Sequence, residues 1–274
     1  MSEHIMEMLG RARVVVEDGK VIDASEPIIS YCPLFEKLHN IKRITKIEVI
    51  KNAEYRIKNF GLFTKNRIVE DERIYATFGA SEILSCCLRK KILDAVVIAS
   101  DCAGTVVTSN PKIVQGLGGR LSGLIKTSPI EEVIERIERA GGFVIDKKFA
   151  SIDQVKGVEV ARKMGFERIG VTLLNPEDAK RCDATLKFAV HTTGVNWSAE
   201  DLKEFDLVTL CASKRLRELS KDLAKAQAGE SIPVVAISKI GKEALLERAK
   251  EIDKILISST NLPKLGKNQP EPLV

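Results

Sequence analysis

The sequence is poor in aromatic side chains: Phe, Tyr and Trp make up 5 % of its 274 residues. A core built with so few of them must rest on Ile, Val, Leu and Ala, the residues that fill strands buried on both faces of a sheet. Long apolar runs are absent as well. No stretch approaches the roughly 18 residues that a membrane span needs, and the opening MSEHIMEMLG lacks the basic-then-apolar order of a signal peptide. No membrane association and a cytoplasmic location are therefore expected, with the six cysteines reduced rather than paired in disulfides. Metal-ligand spacing is missing too. No CxxC occurs, and Cys86 and Cys87 are neighbours on a helix-like stretch, a poor geometry for joint chelation, so no metal ligand is assigned. Nor is charge of one sign concentrated. The 43 basic and 38 acidic residues are intermixed, and the most basic stretch, KRITKIEVIK (42–51), lacks the interleaved aromatics of a nucleic-acid surface, so no nucleic-acid partner is expected. No internal repeat or low-complexity segment is present.

What remains is the composition of a packed protein with a charged surface, 44 % hydrophobic and 30 % charged, long enough for one large or two unequal domains. Residues 1–92 read as an N-terminal α+β region. RVVVEDGKVIDA (13–24) has the form of a β-hairpin, two β-branched runs around an Asp18-Gly19 turn. Helical periodicity follows over 45–59, with Gly61 as its stop, and again over 80–92. Residues 93–260 alternate strand and helix. Strands are predicted at 95–99, 143–146, 168–174, 187–192, 206–212, 233–238 and 254–259. Amphipathic helices lie between most of them, one beginning with Pro129 in its first turn. The fold class is therefore α/β: a mainly parallel sheet of about seven strands with flanking helices, open and doubly wound in preference to barrel-like. Residues 261–274, rich in Pro and Lys, read as an extended tail.

Parallel α/β sheets bind ligands at the carboxyl ends of their strands, and the polar residues of this chain fall there. The longest candidate is SDCAGTVVTSNPKIVQGLGGRLSG (100–123), a loop-rich insertion after the first strand where a short crossover would suffice. Within it Cys102 is the candidate nucleophile, its pKa to be lowered by turn amides and a following helix. Asp101 beside it pulls the other way, since a neighbouring carboxylate raises a thiol pKa; it is a second catalytic candidate, a cap for the following turn or a ligand for a substrate hydroxyl. Gly104, Thr105, Gly118, Gly119, Arg120 and Ser122 form a candidate anion cradle in which Arg120 pairs with carboxylate or phosphate. The segment matches neither the P-loop nor the dinucleotide fingerprint. At the later strand ends stand His191, a candidate general base, with Thr192 and Thr193, and then Cys211, Ser213 and Lys214 as ligand-binding candidates. Each has a plainer alternative as a turn, a cap or a surface residue.

The stretches DAVVIASDCAGTVVTSNPKIVQGLGGRLSGLIKTSPIEEVIERIERAGG, FAVHTTG, LVTLCASKRLREL and IPVVAISKIGKEALLE, with the N-terminal hairpin, resemble the methanogenesis marker protein 8 family over nearly the whole chain. The resemblance implies a cytosolic protein of methane-producing archaea; it carries no assigned reaction, catalytic residue or cofactor. Three readings follow. In the first, the protein binds or acts on a small anionic metabolite or cofactor of methanogenesis, a class that includes coenzyme M, coenzyme B and a nickel tetrapyrrole. In the second it is an assembly factor, for example for methyl-coenzyme M reductase, with a protein partner on an exposed apolar patch of residues 1–92. In the third it carries a metal or iron–sulfur cluster on distant cysteines. Whether it is an enzyme and whether it forms a homo-oligomer are left open.

Overall fold

A computed structural model describes residues 2–229 and 232–253. The strand expected at 254–259 and the tail 261–274 lie outside the described residues. The chain is mixed α/β, with two sheets and ten helices among the described residues, none of them long and apolar enough to cross a membrane.

The smaller sheet is antiparallel. The predicted hairpin forms it in part: β2 (Arg13–Glu17) and β3 (Lys20–Ala24) pair around Asp18 and Gly19. Both turn residues have positive φ, 45° and 75°, the geometry a tight two-residue hairpin demands. β1 (Glu3–Glu7) adds to the β2 edge, and β6 (Gly123–Lys126) adds to β1, giving the order β3-β2-β1-β6. A segment beyond residue 92 thus completes the N-terminal sheet. Helix α1 (Pro33–His39) precedes α2 (Lys46–Phe60), which packs its Val49, Ala53 and Phe60 against this sheet. Thr45 caps α2 through the Glu48 N–H, and Gly61 ends it at φ 66°.

The larger sheet has eight strands. β4 (Ala95–Ser100), β8 (Ile169–Leu173), β9 (Leu186–Ala189) and β10 (Leu207–Thr209) run parallel at its centre. β5 (Gly104–Thr108) and β7 (Gly142–Val144) extend it on one side, β12 (Val234–Ala236) and β11 (Ala226–Ala228) on the other, all through antiparallel pairings. The sheet is therefore mixed rather than mainly parallel: three of its seven pairings are parallel. The cause is local. β5 leaves β4 after a turn of only three residues, and so short a connection can join only antiparallel neighbours. Among the described residues the sheet order ends at β11 and β7 and does not close.

Alternate residues of β4 enter two cores, Val96 and Ile98 on one face, Ala95 and Val97 on the other. The first face is covered by α3 (Ala80–Arg89), α4 (Pro111–Ile113), α5 (Glu131–Arg139) and α10 (Lys239–Ala249). The second is covered by α6 (Gln154–Lys163), α7 (Pro176–Arg181), α8 (Ala199–Lys203) and α9 (Lys214–Leu223). Helix α5 starts at Glu131, so Pro129 stands outside it. The insertion expected to be loop-rich is largely ordered: it holds β5, α4, a π-turn (Val114–Gly118) and β6.

Candidate functional site

Three non-glycine residues take up left-handed backbone conformations at equivalent places, each two positions after a central strand: Cys102 (φ 68°) after β4, His191 (54°) after β9 and Cys211 (37°) after β10. Such conformations are costly for residues with a Cβ and persist where surrounding contacts over-determine them. What holds each one separates the structural candidates from the functional ones.

Asp101 and Cys102 are held by the interior. The Asp101 carboxylate accepts from Arg67 Nε at 2.8 Å and from the Phe63 backbone N–H at 2.8 Å, and both side chains of the ion pair are 0 % exposed. Arg67 donates its remaining groups to the carbonyls of Ile68 (2.6 Å) and Leu117 (3.1 Å). The pair locks the end of β4 to the segment after α2 and to the π-turn. Cys102 donates its backbone N–H to Thr127 Oγ1 at 2.8 Å, and its Sγ lies 3.7 Å from Asp101 Oδ2. Burial, and then the Asp101 carboxylate, push its thiol well above the usual cysteine pKa. The direction is opposite to the lowering expected of a nucleophile. Thr127 Oγ1 also contacts Nδ1 of the fully buried His4 at 2.7 Å, leaving His4 Nε2 buried without a partner. Gly104 and Thr105 are buried in β5. Gly104 (φ 73°) lies against the Ala150 carbonyl, and Thr105 Oγ1 bonds Gln154 and the Asp153 N–H, so both join strand to loop and leave no open cradle.

His191 is held at the seam between the two sheets. Its Nε2 lies 2.6 Å from Glu7 Oε2, and Glu7 takes both Nε and Nη2 of Arg11 at 2.9 Å. A carboxylate only accepts, so Nε2 is the donor to Glu7. Arg11, and to a lesser degree His191, hold the Glu7 carboxyl below its usual range. Gly123 makes the approach possible: a Cβ there would stand 2.4 Å from His191 Nε2.

The same segment carries Arg120. Arg56 of α2 donates Nη1 to the Arg120 carbonyl (3.0 Å) and to Ser122 Oγ (3.1 Å), one residue from Gly123. The Arg120 side chain is 9 % exposed. Its guanidinium lies over the Phe60 ring, 3.9 Å from the centroid, and against Tyr75. Its nearest carboxylate contact, Asp71 at 3.6 Å, is too long for a hydrogen bond and is engaged by Arg73 at 2.8 Å. Arg120 Nε and Nη2 are buried with no hydrogen-bond partner. Burial lowers its pKa to about 9, against the pull of Asp71; burial and then Arg67 lower that of Arg56 to about 10. The place is short of negative charge.

Residues 119–123 thus have the arginines on one side and the His191–Glu7–Arg11 chain on the other. Arg120 and Ser122 share Arg56, and His191 lies against Gly123, the next residue after Ser122; Gly118 and Gly119 are in the preceding turn. Asp101 and Cys102 are engaged elsewhere, Asp101 with Arg67 and Phe63 and Cys102 with Thr127, four residues beyond Gly123. Thr192 is buried and donates to the Thr209 carbonyl at 2.6 Å, tying β9 to β10; Thr193 follows it. Cys211 lies on the neighbouring strand end, near enough to Cys32 to sense its charge, and burial pushes its thiol up to about 11. Ser213 caps α9, accepting from the Leu216 N–H at 3.3 Å, and the Lys214 side chain, 91 % exposed, reaches only Glu218. Among the described residues no group of three or more His, Cys, Asp or Glu side chains is placed to hold a metal ion. Arg56, Glu7, Arg11, Asp71, Arg73 and Tyr75 were not singled out from sequence. A signal existed in EYRIKNFGLF (54–63) and DERIYATF (71–78), where arginine alternates with aromatics in a chain that has few.

The sequence profile of an archaeal family, DUF2099, described as an uncharacterized protein conserved in archaea, matches residues 4–250. A protein of Methanocaldococcus jannaschii called Uncharacterized protein MJ0054 is 57 % identical over 281 residues, covering 100 % of both chains. No solved structure matches the chain.

Proposed function

The chain belongs to the DUF2099 family of archaeal proteins, and for it we propose a function in binding a small anionic metabolite or cofactor at the seam between its two sheets. One observation carries the reading: Arg120 keeps Nε and Nη2 buried and without a hydrogen bond among the described residues, Asp71 standing off at 3.6 Å, beside a second arginine of lowered pKa. A buried charged donor left without a hydrogen bond costs about 1–3 kcal/mol or more. An anion that accepts from Arg120 and Arg56 would recover that cost. His191, held by Glu7 against Gly123, three residues along the chain from Arg120, is the candidate to move a proton to or from such a ligand. The resemblance to the methanogenesis marker protein 8 family directs the search toward the anionic thiols of methanogens. The test is thermal unfolding with phosphate, sulfate, carboxylates, coenzyme M and coenzyme B. A true ligand at a hundred times its Kd adds about 2.7 kcal/mol of stability. Arg120→Met should abolish the response. A panel without effect, or an undiminished response in Arg120→Met, overturns the reading.

The assembly-factor reading has its own support. Seven of thirteen exposed large apolar side chains among the described residues lie before residue 92, Ile28 (76 %) and Ile47 (63 %) foremost. A partner such as methyl-coenzyme M reductase would be retained by the native chain and lost in Ile28→Lys and Ile47→Lys. Equal behaviour of native and variant chains in size-exclusion runs with the purified reductase would remove this reading.

A further inference from the structure

The surroundings of the anchor narrow the class of ligand, a step that rests on the anion reading. Charge comes first. Asp71 takes Arg73 through two Nε contacts and one from Nη2, at 2.8 to 3.1 Å, and so has little left for Arg120. Arg56 is influenced by burial and Arg67 alone, and Arg67 is balanced by Asp101. Two guanidiniums therefore share one carboxylate, Asp71, which stands 3.6 Å from Arg120 and is hydrogen-bonded to Arg73 instead, an excess of positive charge that matches a dianion better than a single carboxylate.

Shape comes second. The chain has nine Phe, three Tyr and one Trp, yet four Phe and Tyr side chains and one His form a continuous ladder here. Phe35 stacks on His39 (5.8 Å between centroids), His39 meets Tyr55 edge-on (5.4 Å), Tyr55 meets Phe60 (5.8 Å) and Phe60 meets Tyr75 (6.3 Å). The inner end encloses the Arg120 guanidinium. The middle of the ladder is open: Tyr55 is 44 % exposed and His39 is exposed. Burial and the two arginines hold the His39 imidazole below its usual pKa, which favours its uncharged form. Exposed aromatic faces beside paired arginines are the elements that hold a flat ring next to its phosphate.

We infer that the ligand is a phosphate monoester of a compound bearing a planar ring, its phosphate on Arg56 and Arg120 and its ring against Tyr55 and His39.

The experiment is calorimetric titration with inorganic phosphate, ribose 5-phosphate, adenosine and four ring-bearing monoesters: AMP, UMP, flavin mononucleotide and pyridoxal 5′-phosphate. At least one monoester should bind at least about fivefold more tightly than ribose 5-phosphate, the lower end of what one stacked ring supplies. Tyr55→Ala, and Tyr55→Leu as a check on folding, should erase that difference and leave phosphate binding unchanged; Tyr55→Phe should retain it. If ribose 5-phosphate equals every ring-bearing ester while Arg120→Met abolishes all binding, the ring inference falls and the anion reading stands. If adenosine binds as well as AMP, the dianion inference falls. If no phosphate compound binds, this inference falls; the anion reading then falls only if its wider panel, with the sulfonates and carboxylates, is also silent.

Discussion

Replacing Asp101 by Asn separates a structural carboxylate from a catalytic one. The substitution keeps size and removes charge. Arg67 then stays fully buried with two carbonyl partners, at 2.6 and 3.1 Å, and no counter-ion. The amide also has only one acceptor oxygen for two donors, Arg67 Nε and the Phe63 N–H, so its own NH2 must face one of them. Removing one member of a buried pair costs about 3–5 kcal/mol, out of a total stability of roughly 5–15 kcal/mol. At about 2–4 °C per kcal/mol for chains of 150–250 residues, Tm should fall by roughly 6–20 °C. Circular dichroism melts of native and Asp101→Asn protein measure it. Arg67→Met with Asp101→Leu removes both charges and should recover much of the loss, because paired deletion leaves no orphan. A catalytic carboxylate behaves differently: its removal relieves strain and leaves stability unchanged or higher. An Asp101→Asn protein that melts at or above the native temperature would refute the structural assignment.

His4 gives a pH dependence. Burial lowers its pKa from 6.5, against the pull of Asp101, so below about pH 6.5 the unfolded chain takes up a proton that the native chain resists, and stability falls with pH. Urea midpoints between pH 7.5 and 5.5 should decline less steeply in His4→Phe than in the native protein. Cys102, buried and with a raised pKa, should resist iodoacetamide at pH 8 until denaturant is added, while the half-exposed Cys32 reacts first; mass spectrometry of labelled peptides reads the order. Gly123→Ala would place a methyl 2.4 Å from His191 Nε2. It should cost about 1–3 kcal/mol as an overpacking substitution and displace the His191 ring from Glu7, visible as a shifted imidazole nitrogen resonance.

The hairpin at 13–24, the helix ending at Gly61 and the central strands were legible because each is set by local signals: a turn dipeptide, a cap, a β-branched run. The antiparallel flanks were not. GTVVT (104–108) reads as loop because small residues surround it, and its strand character comes from pairing with β4 and β7. β6 is four residues with no periodicity to betray them, and its partner β1 lies more than a hundred residues away. In the site, Arg120 and Ser122 stand out through their glycine-rich setting and His191 through its strand end. Arg56 reads as part of a solvated helix face, since nothing local says that α2 turns that residue toward residues 120–122. For Cys102 the sequence shows the turn, and in Asp101 a neighbour that argues against a lowered pKa; it hides the burial and Arg67, which binds Asp101 from thirty-four residues away.

The register of β1 against β6 has a consequence for how the protein is made. Ile5 pairs with Lys126, so the first strand leaves the ribosome long before its second neighbour exists. At synthesis rates of about 5–20 residues per second the gap is roughly 6–24 seconds. Throughout it, β1 can pair with the hairpin on one edge while the other stands open to any extended chain nearby. His4 likewise has no Thr127 to meet until the gap closes. An early β3-β2-β1 sheet with a sticky border, held until residues 123–126 arrive, is the nascent species on which a chaperone would act.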